Sequence, residues 1–443
     1  MGIDAGNTAW VLTSAALVLF MTPGLAFFYG GMVRAKNVLA MLMQNVFAMG
    51  LVSVLWATVA FSLAFGDGGP FIGDLSMVGL SDVQNAVLPG YVGDFALTIP
   101  VLAFCAYQMM FAIITPALIT GATADRLKFK GYAAFIGLWV LLVYTPVAHW
   151  VFSPTGWLFR RGALDFAGGT VVHVNAGIAA LAVVLVVGKR RGWQREPMKP
   201  HSLPLTMLGT GILWFGWFGF NAGSALGANG VAAQALMNTH LAAAAGMLGW
   251  LLVERLRDGH PTTLGAASGA VAGLVAITPC AGFVGGLAPL AIGGLAGGVC
   301  FLAIQLKYRL RFDDSLDVVA VHLVGGILGS LLLAVFADKG VNALGADGLL
   351  NGGGTALLAD QLVAVGATLA FSFVLSYGLA LAVDKTIGLR VSEAEEVAGL
   401  DATQHNETAY VTDEVAVPEQ RQPHPVAASA AVADDEEDDA LVA

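Results

Sequence analysis

The chain has 443 residues, 57% of them hydrophobic and only 12% charged, with 56 glycines. A water-soluble protein of this length needs far more charge to cover its surface, so that class is excluded. The formal net charge of −10 is uneven: residues 391–443 hold fourteen acids against a single base, Arg421, and the remainder carries a small positive excess.

Apolar runs of roughly the length that crosses a hydrocarbon core recur along the chain. Eleven are predicted, at 8–33, 40–65, 97–124, 131–152, 168–188, 203–226, 232–254, 264–280, 283–306, 318–337 and 360–384. The first has no basic residues before it and is too long and glycine-rich for a signal peptide, so it reads as a spanning helix. Basic residues follow alternate spans: Arg34 and Lys36, Arg126 to Lys130, Lys189 to Lys199, Arg255 and Arg257, Lys307 to Arg311, Lys385 and Arg390. Only Arg160, Arg161 and Lys339 remain for the other side. The excess of bases in cytoplasmic loops then puts the N-terminus outside and the C-terminus in the cytoplasm. Cys105, Cys280 and Cys300 all lie within apolar runs, which suits packing rather than a disulfide framework or a metal site.

Span 5 contains His173 in H-V-N-A-G-I, and span 10 contains His322 in H-L-V-G-G-I. Each is preceded eight residues earlier by an aspartate, Asp165 and Asp314. Eight residues of helix rise about 12 Å, so each imidazole lies deep in the hydrocarbon. One buried histidine suits packing; two at matching points of two five-span units point to a site. Five spans is an odd number, so the second unit enters the membrane upside down, and its functional residues meet the first unit's near the midplane. The expected fold is therefore an all-α polytopic membrane protein with eleven transmembrane helices: two inverted five-helix repeats plus a final helix. His149, His201, His260 and His240 have no such match, and His240 reads as packing.

Span 3 places Tyr107 and Phe111 on one helical face, four residues apart. Span 6 reads WFGWFGFNAGSALG, with Trp214, Trp217, Phe218 and Phe220 among glycines and Ser224 one turn beyond Phe220. Aromatics in membrane helices mostly pack or anchor at interfaces. At a pore mouth their faces attract a cation.

Four stretches carry a resemblance: MTPGLAFFYGGMVRAKN at 21–37, ALDFAGGTVVHVNAGIAAL at 163–181, GWFGFNAGSA at 216–225 and DDSLDVVAVH at 313–322. In this order they resemble the ammonium transporter family (Amt, prokaryotic type, with the yeast Mep and animal Rh proteins as relatives), over about residues 8 to 410. The resemblance implies a homotrimer in the cell membrane with a narrow pore through each subunit. It implies a pore gate of Phe111 and Phe220, and a vestibule site for ammonium, or its analogue methylammonium, built from Phe111, Phe152, Ser224 and Asp165. The implied pore lining is His173, His322, Trp217 and Tyr107. One position departs. Bacterial members read roughly AHMVWGGG after span 4, where this chain reads AHWVFSPTGW, putting Phe152 in the place of a tryptophan, with Trp150 and Trp157 as other candidates for that wall.

These residue types suit ammonium. A ring face contributes about 0.5–2 kcal/mol to holding a cation. Ser224 accepts an N–H, and Asp165 either makes the mouth negative or simply caps span 5. Two imidazoles sharing a hydrogen bond offer both a donor and an acceptor to ammonia in an apolar tube. The function expected is recruitment of NH4+, its deprotonation, and conduction of NH3 with or without a separate proton relay. No enzyme activity, cofactor, metal or nucleic-acid partner is expected; membrane lipid is the surrounding.

Residues 1–390 read as the transmembrane domain. Residues 391–416 resemble the family's cytoplasmic regulatory segment, implying a PII-type nitrogen regulatory protein as partner. Residues 417–443 read as a disordered acidic tail. An ammonium sensor would use the same fold, but the tail is too short and polar to build a signalling domain. An unrelated cation channel would need a carbonyl filter of the TVGYG type, or the arginine ladder of a voltage sensor, and neither occurs in the sequence. A reporter fused after Lys199 or at Ala443 is expected in the cytoplasm, and one inserted at Gly345 outside. Protease or thiol accessibility on intact cells checks this, and an external C-terminus would overturn the repeat along with the topology.

Overall fold

The computed structural model describes residues 2–86 and 88–410. The calls on the disordered tail at 417–443, and on the end of the regulatory segment beyond 410, lie outside the described residues. No β-strand occurs among the described residues; one isolated bridge joins Leu127 to Arg390.

Among the described residues, ten helices are long and apolar enough to cross a membrane. In chain order, α1 is Ala5–Met32, N-capped by Asp4, whose carboxylate accepts the Asn7 amide at 2.7 Å. The second helix, α2, begins as Val38–Leu55, passes a π turn at Trp56–Ala60 and ends as Phe61–Phe65. Next come α3, Val101–Thr123, and α4, which runs from Phe129–Trp139 through a π turn at Val140–Tyr144 to Thr145–Phe152. Helix α5 opens with a π turn at Gly169–Val174 and continues as Asn175–Val187. Then follow α6 at Leu203–Ala222, α7 at Gly230–Asp258, α8 at Thr263–Ile277 and α9 at Ala288–Ala303. Helix α10, like α5, opens with a π turn, Val319–Val324, and continues as Gly325–Phe336. Helix α11 is Ala356–Thr386.

Helix α8 differs from expectation. The span predicted at 264–280 is a helix of 15 residues, about 22 Å long at the α-helical rise and short of the ~30 Å hydrocarbon core. Pro279 lacks the amide that would continue it, and the chain leaves through tight turns, Cys280 N to Ile277 O and Phe283 N to Cys280 O, both 2.8 Å. The π turns are a second difference, because apolar periodicity carries no signal for a one-residue insertion.

On the side where the basic clusters fall, ionic groups are buried together. Arg126 is fully buried and donates to the carbonyls of Gly188 (2.8 Å), Ala124 (3.1 Å) and Asp313 (2.6 Å) and to the Ser315 hydroxyl (2.7 Å). The Asp313 carboxylate accepts from the Arg190 amide at 2.7 Å and from its guanidinium at 2.8 and 2.9 Å. Asp125 pairs with Arg34 at 2.9 Å and accepts from Asn37. The segment after α11 is tied to the same loops. Two short helices follow, α12 at Glu393–Ala398 and α13 at Leu400–His405. Buried Glu396 accepts from Arg390 (2.8 Å) and from the Arg191 amide (2.7 Å). Asp401 caps the start of α2 through the Leu39 and Ala40 amides, at 3.1 and 2.8 Å.

Burial raises the Asp313 carboxyl, but its hydrogen bonds to Arg190 and the nearby Arg126 charge outweigh this and hold it below the ordinary carboxylate range. A depressed carboxylate contributes stability that is present above its unfolded pKa and lost as pH falls through the folded value. Asp313→Ala leaves the buried Arg190 guanidinium without its two-point carboxylate partner, which costs about 3–5 kcal/mol. The expected result is a lower unfolding temperature for the detergent-solubilised variant, with a difference from wild type that narrows in strong acid.

Candidate functional site

An aspartate, a π turn and a glycine assemble each histidine. Asp165 accepts the amides of Gly168 and Gly169 at 2.7 Å, Thr170 at 2.8 Å and Val171 at 3.2 Å, so both its oxygens cap the turn carrying His173. Gly168 sits at φ +114°, a conformation L side chains rarely adopt. Burial pushes the Asp165 carboxyl above its ordinary range, against the pull of the four amides. Asp314 caps the second turn through the amides of Val318 (3.1 Å) and Val319 (2.7 Å).

Four residues after each histidine is a glycine. A Cβ on Gly177 would lie 2.5 Å from the Leu323 amide nitrogen, and one on Gly326 would lie 3.1 Å from the His173 Cβ. Helices α5 and α10 therefore touch at backbone distance. That contact brings His322 Nδ1 to 3.2 Å from His173 Nδ1, with ring centroids 5.3 Å apart. The two imidazoles line a cavity of about 10 Å³, room for a single water-sized particle. Apart from them and Trp217 its wall is apolar, with Phe28, Leu118, Val172, Leu213 and Val271 among its residues. The Trp217 indole lies along His173 at 5.5 Å and is fixed by its N–H to the Thr278 hydroxyl at 2.9 Å. His173 Nε2 is buried with no hydrogen-bond partner among the described residues.

Phe220, also in the cavity wall, lies 6.1 Å from His173 and 4.3 Å from Phe111. Both phenylalanines are 1% exposed, so the file of rings is shut at this pair. Phe152 meets Phe111 edge-on at 6.5 Å, and Tyr107 meets it at 5.0 Å. Ser224, half-buried, lies one helical turn past Phe220 and donates to its carbonyl at 2.9 Å.

Seven of the expected site residues thus form one connected file: Phe152, Phe111, Phe220, Trp217, His173 and His322, with Ser224 beside Phe220. The other two make different contacts. Tyr107 does not line the histidine cavity: its hydroxyl lies 3.1 Å from Ser224 Oγ, because α3 carries it a full turn from Phe111 away from the pair. Asp165 uses both oxygens on backbone amides, so capping accounts for its contacts. Trp150 and Trp157 pack on each other at 5.7 Å, and Trp150 also packs on Phe371 and donates to the Phe71 carbonyl, leaving Phe152 as the ring against Phe111. Trp214 and Phe218 face the exposed His240.

Sequence reasoning passed over His149. It is fully buried, and its two ring nitrogens lie 2.7 Å from the carbonyl oxygens of Ala64 in α2 and Gly69 in the loop after it, holding the C-terminal end of α4 to both. It missed the Trp217–Thr278 bond for want of any pattern. The glycine four residues past each histidine was visible in the two motifs and is the signal for the crossing.

Fold and site define a polytopic membrane protein with a file of aromatic rings that leads to two buried histidines in contact. A sequence profile of the Ammonium Transporter Family matches residues 9–410. The ammonium transporter of Mycobacterium tuberculosis is 51% identical over 441 residues, covering 93% of this chain and 91% of that protein. That of Bacillus subtilis is 47% identical over 410 residues, covering 92% and 99%. Among solved structures, Candida albicans Mep2 superposes with a TM-score of 0.83 at 38% identity, covering 89% of this chain and 88% of that one. The chain belongs to the Ammonium Transporter Family. It is accordingly a multi-pass protein of the cell membrane and a transporter of ammonium rather than an enzyme.

Gly177→Ala forces α5 and α10 apart, at about 1–3 kcal/mol for overpacking. It is expected to lower the unfolding temperature and to reduce methylammonium uptake in the same preparation. Gly50→Ala, where nothing lies within 4 Å, is expected to change neither.

Proposed function

We propose that the chain takes NH4+ at an outer mouth formed by Phe111, Phe152 and Ser224, removes a proton, and conducts NH3 past Phe220, Trp217, His173 and His322. The observation that carries this reading is the 3.2 Å contact between the two histidine Nδ1 atoms inside an apolar cavity of about 10 Å³. A bare cation in such a cavity loses solvation worth tens of kcal/mol, whereas a neutral molecule does not. The mouth supplies what a cation needs, two ring faces and a hydroxyl lone pair. The cavity supplies what ammonia needs: an unpartnered imidazole nitrogen and no charge. K+ has no proton to give up, so the same passage excludes it. The released proton either stays outside or follows separately along the imidazole pair. Asp165 contributes by holding the turn that carries His173.

Eleven spans complete this reading, the short α8 among them, in two inverted five-helix units with α11 last. Its support is the matched set of aspartate, π turn, histidine and glycine in α5 and α10. With the N-terminus outside, the passage leads towards a polar cavity of about 300 Å³ on the basic side, whose wall includes Met32, Arg34, Arg190, Lys307 and Asp317. Met32 is one turn beyond Phe28 on α1. The proposed assembly is a homotrimer, with residues 1–390 as its membrane domain, 391–416 as the docking segment for a PII-type protein, and 417–443 as a solvated acidic tail. The ties of Glu396 and Asp401 to the loops around Arg191 and Leu39 support a regulatory role for the segment, since a partner that grips it pulls on those loops.

Purified protein in a planar membrane, under separate ammonium and pH gradients, tests the mechanism. His173→Ala and His322→Ala are expected to abolish charge-coupled ammonium transport or to let K+ leak as a hydrated ion. The double variant is expected to match the singles, because groups acting as a unit are not additive. Wild-type current and selectivity in a folded double variant would return the pair to a packing role.

A further inference from the structure

Helix α8 ends at Ile277, and the next residue, Thr278, is fully buried. Pro279 lodges this break against the turn that carries His173. A Cβ on Gly169 would lie 2.5 Å from the Pro279 ring, and the Pro279 carbonyl accepts the Phe166 amide at 3.1 Å. The Thr278 hydroxyl donates to the Leu274 carbonyl at 2.7 Å and accepts the Trp217 indole N–H at 2.9 Å. The proton count leaves one arrangement, because a carbonyl only accepts, an indole only donates, and a hydroxyl has a single proton.

The indole has a second place to donate. Trp217 lies in the cavity wall, its ring 5.5 Å from that of His173 with 25° between the planes. Among the described residues lining the cavity, it is the only one besides the two histidines with a side-chain N–H. His173 Nδ1 faces His322, whereas its Nε2 is buried and unpartnered. In the tautomer that donates from Nδ1 to His322, Nε2 is an acceptor. A buried N–H and a buried lone pair left open side by side are each costly, so the two would pair. Thr278 occupies the N–H first.

We propose that Thr278 is a positioning residue for the passage: it holds the Trp217 N–H away from His173 and so keeps His173 Nε2 open to a small neutral guest such as ammonia. Without the hydroxyl, the indole turns about its Cβ–Cγ bond and donates to Nε2. The histidine is then paired to the protein, and the indole takes up room in a cavity of only about 10 Å³. The loss falls on the rate of passage and not on recruitment. The inference rests on the conduction path given above.

Ammonium-evoked current in proteoliposomes tests it, with unfolding temperature measured on the same preparations. Thr278→Val keeps the branched shape and removes the hydroxyl. Its maximal current is expected to fall about tenfold, the scale of one hydrogen bond, at an unchanged half-saturating ammonium concentration. Thr278→Ser is expected to keep the wild-type current. In a Trp217→Phe background no indole N–H is left to misplace, so adding Thr278→Val is expected to cause no further fall. Trp217→Leu supplies that background where the phenylalanine variant carries no current, and Thr278→Ala replaces the valine variant should that fold poorly. Full current in folded Thr278→Val or Thr278→Ala would overturn the proposal. So would an equal fall with and without the indole, which is the mark of a packing role. Wild-type current in His173→Ala would instead overturn the conduction path itself, whatever Thr278 does.

Discussion

The backbone contact between α5 and α10 is what the rest of the site depends on. Leu323 lies where a Gly177 side chain would be, and the His173 Cβ approaches the place of one on Gly326. Any larger residue at position 177 obstructs this crossing, and one at position 326 crowds it. Without it the imidazoles would be separated by a layer of side chains, and a direct Nδ1–Nδ1 contact would be out of reach. In a membrane, where apolar surface gains little by leaving lipid for protein, close approach through small residues is a principal source of helix association. The glycines therefore serve packing and function through one contact.

Two of the π turns meet at the crossing. A residue inserted into the helical repeat rotates the side chains that follow, and the insertions that open α5 and α10 occur in the turn that carries a histidine. The aspartates eight residues before them restore the amides these turns leave open, four on one side and two on the other. Each imidazole is thus aimed by backbone geometry, and Trp217, pinned to Thr278, closes the remaining wall. What results is a small, nearly uncharged cavity next to a cluster of ring faces. The electrostatics of the protein are concentrated elsewhere, in the buried cluster of Arg126, Arg190, Asp125 and Asp313 that fastens the loops on the basic side.

That separation has a structural consequence for the C-terminal segment. Asp401 stands in for an N-cap of α2, a helix whose own N-cap, Asn37, makes no side-chain cap bond to it. The Asn37 side chain is committed instead to Asp125 and to the Leu400 amide. Helix α2 therefore begins on a residue more than 360 positions away. The charged cluster, α12 and α13 form a continuous set of contacts beneath the helices, separate from the uncharged passage.

By itself the sequence determined the class of fold, because a hydrocarbon core demands long apolar helices and basic loops, and both are local, additive properties of the chain. It also singled out candidate residues: the paired histidines by repetition, and Phe111, Phe220 and Ser224 by residue type and the family resemblance. Only the tertiary structure decided how they meet. The break of α8 at Pro279, the π turns, the turning of Tyr107 to Ser224 instead of the cavity, and the use of both Asp165 oxygens on amides all depend on which helix lies opposite. His149 and Arg126 were hidden for the same reason. A histidine near a helix end and an arginine in a basic loop look ordinary until the carbonyls they hold, from residues 64, 69, 188 and 313, are brought to them. Hydropathy reports where a residue prefers to be, and it carries no information about the partner it finds there.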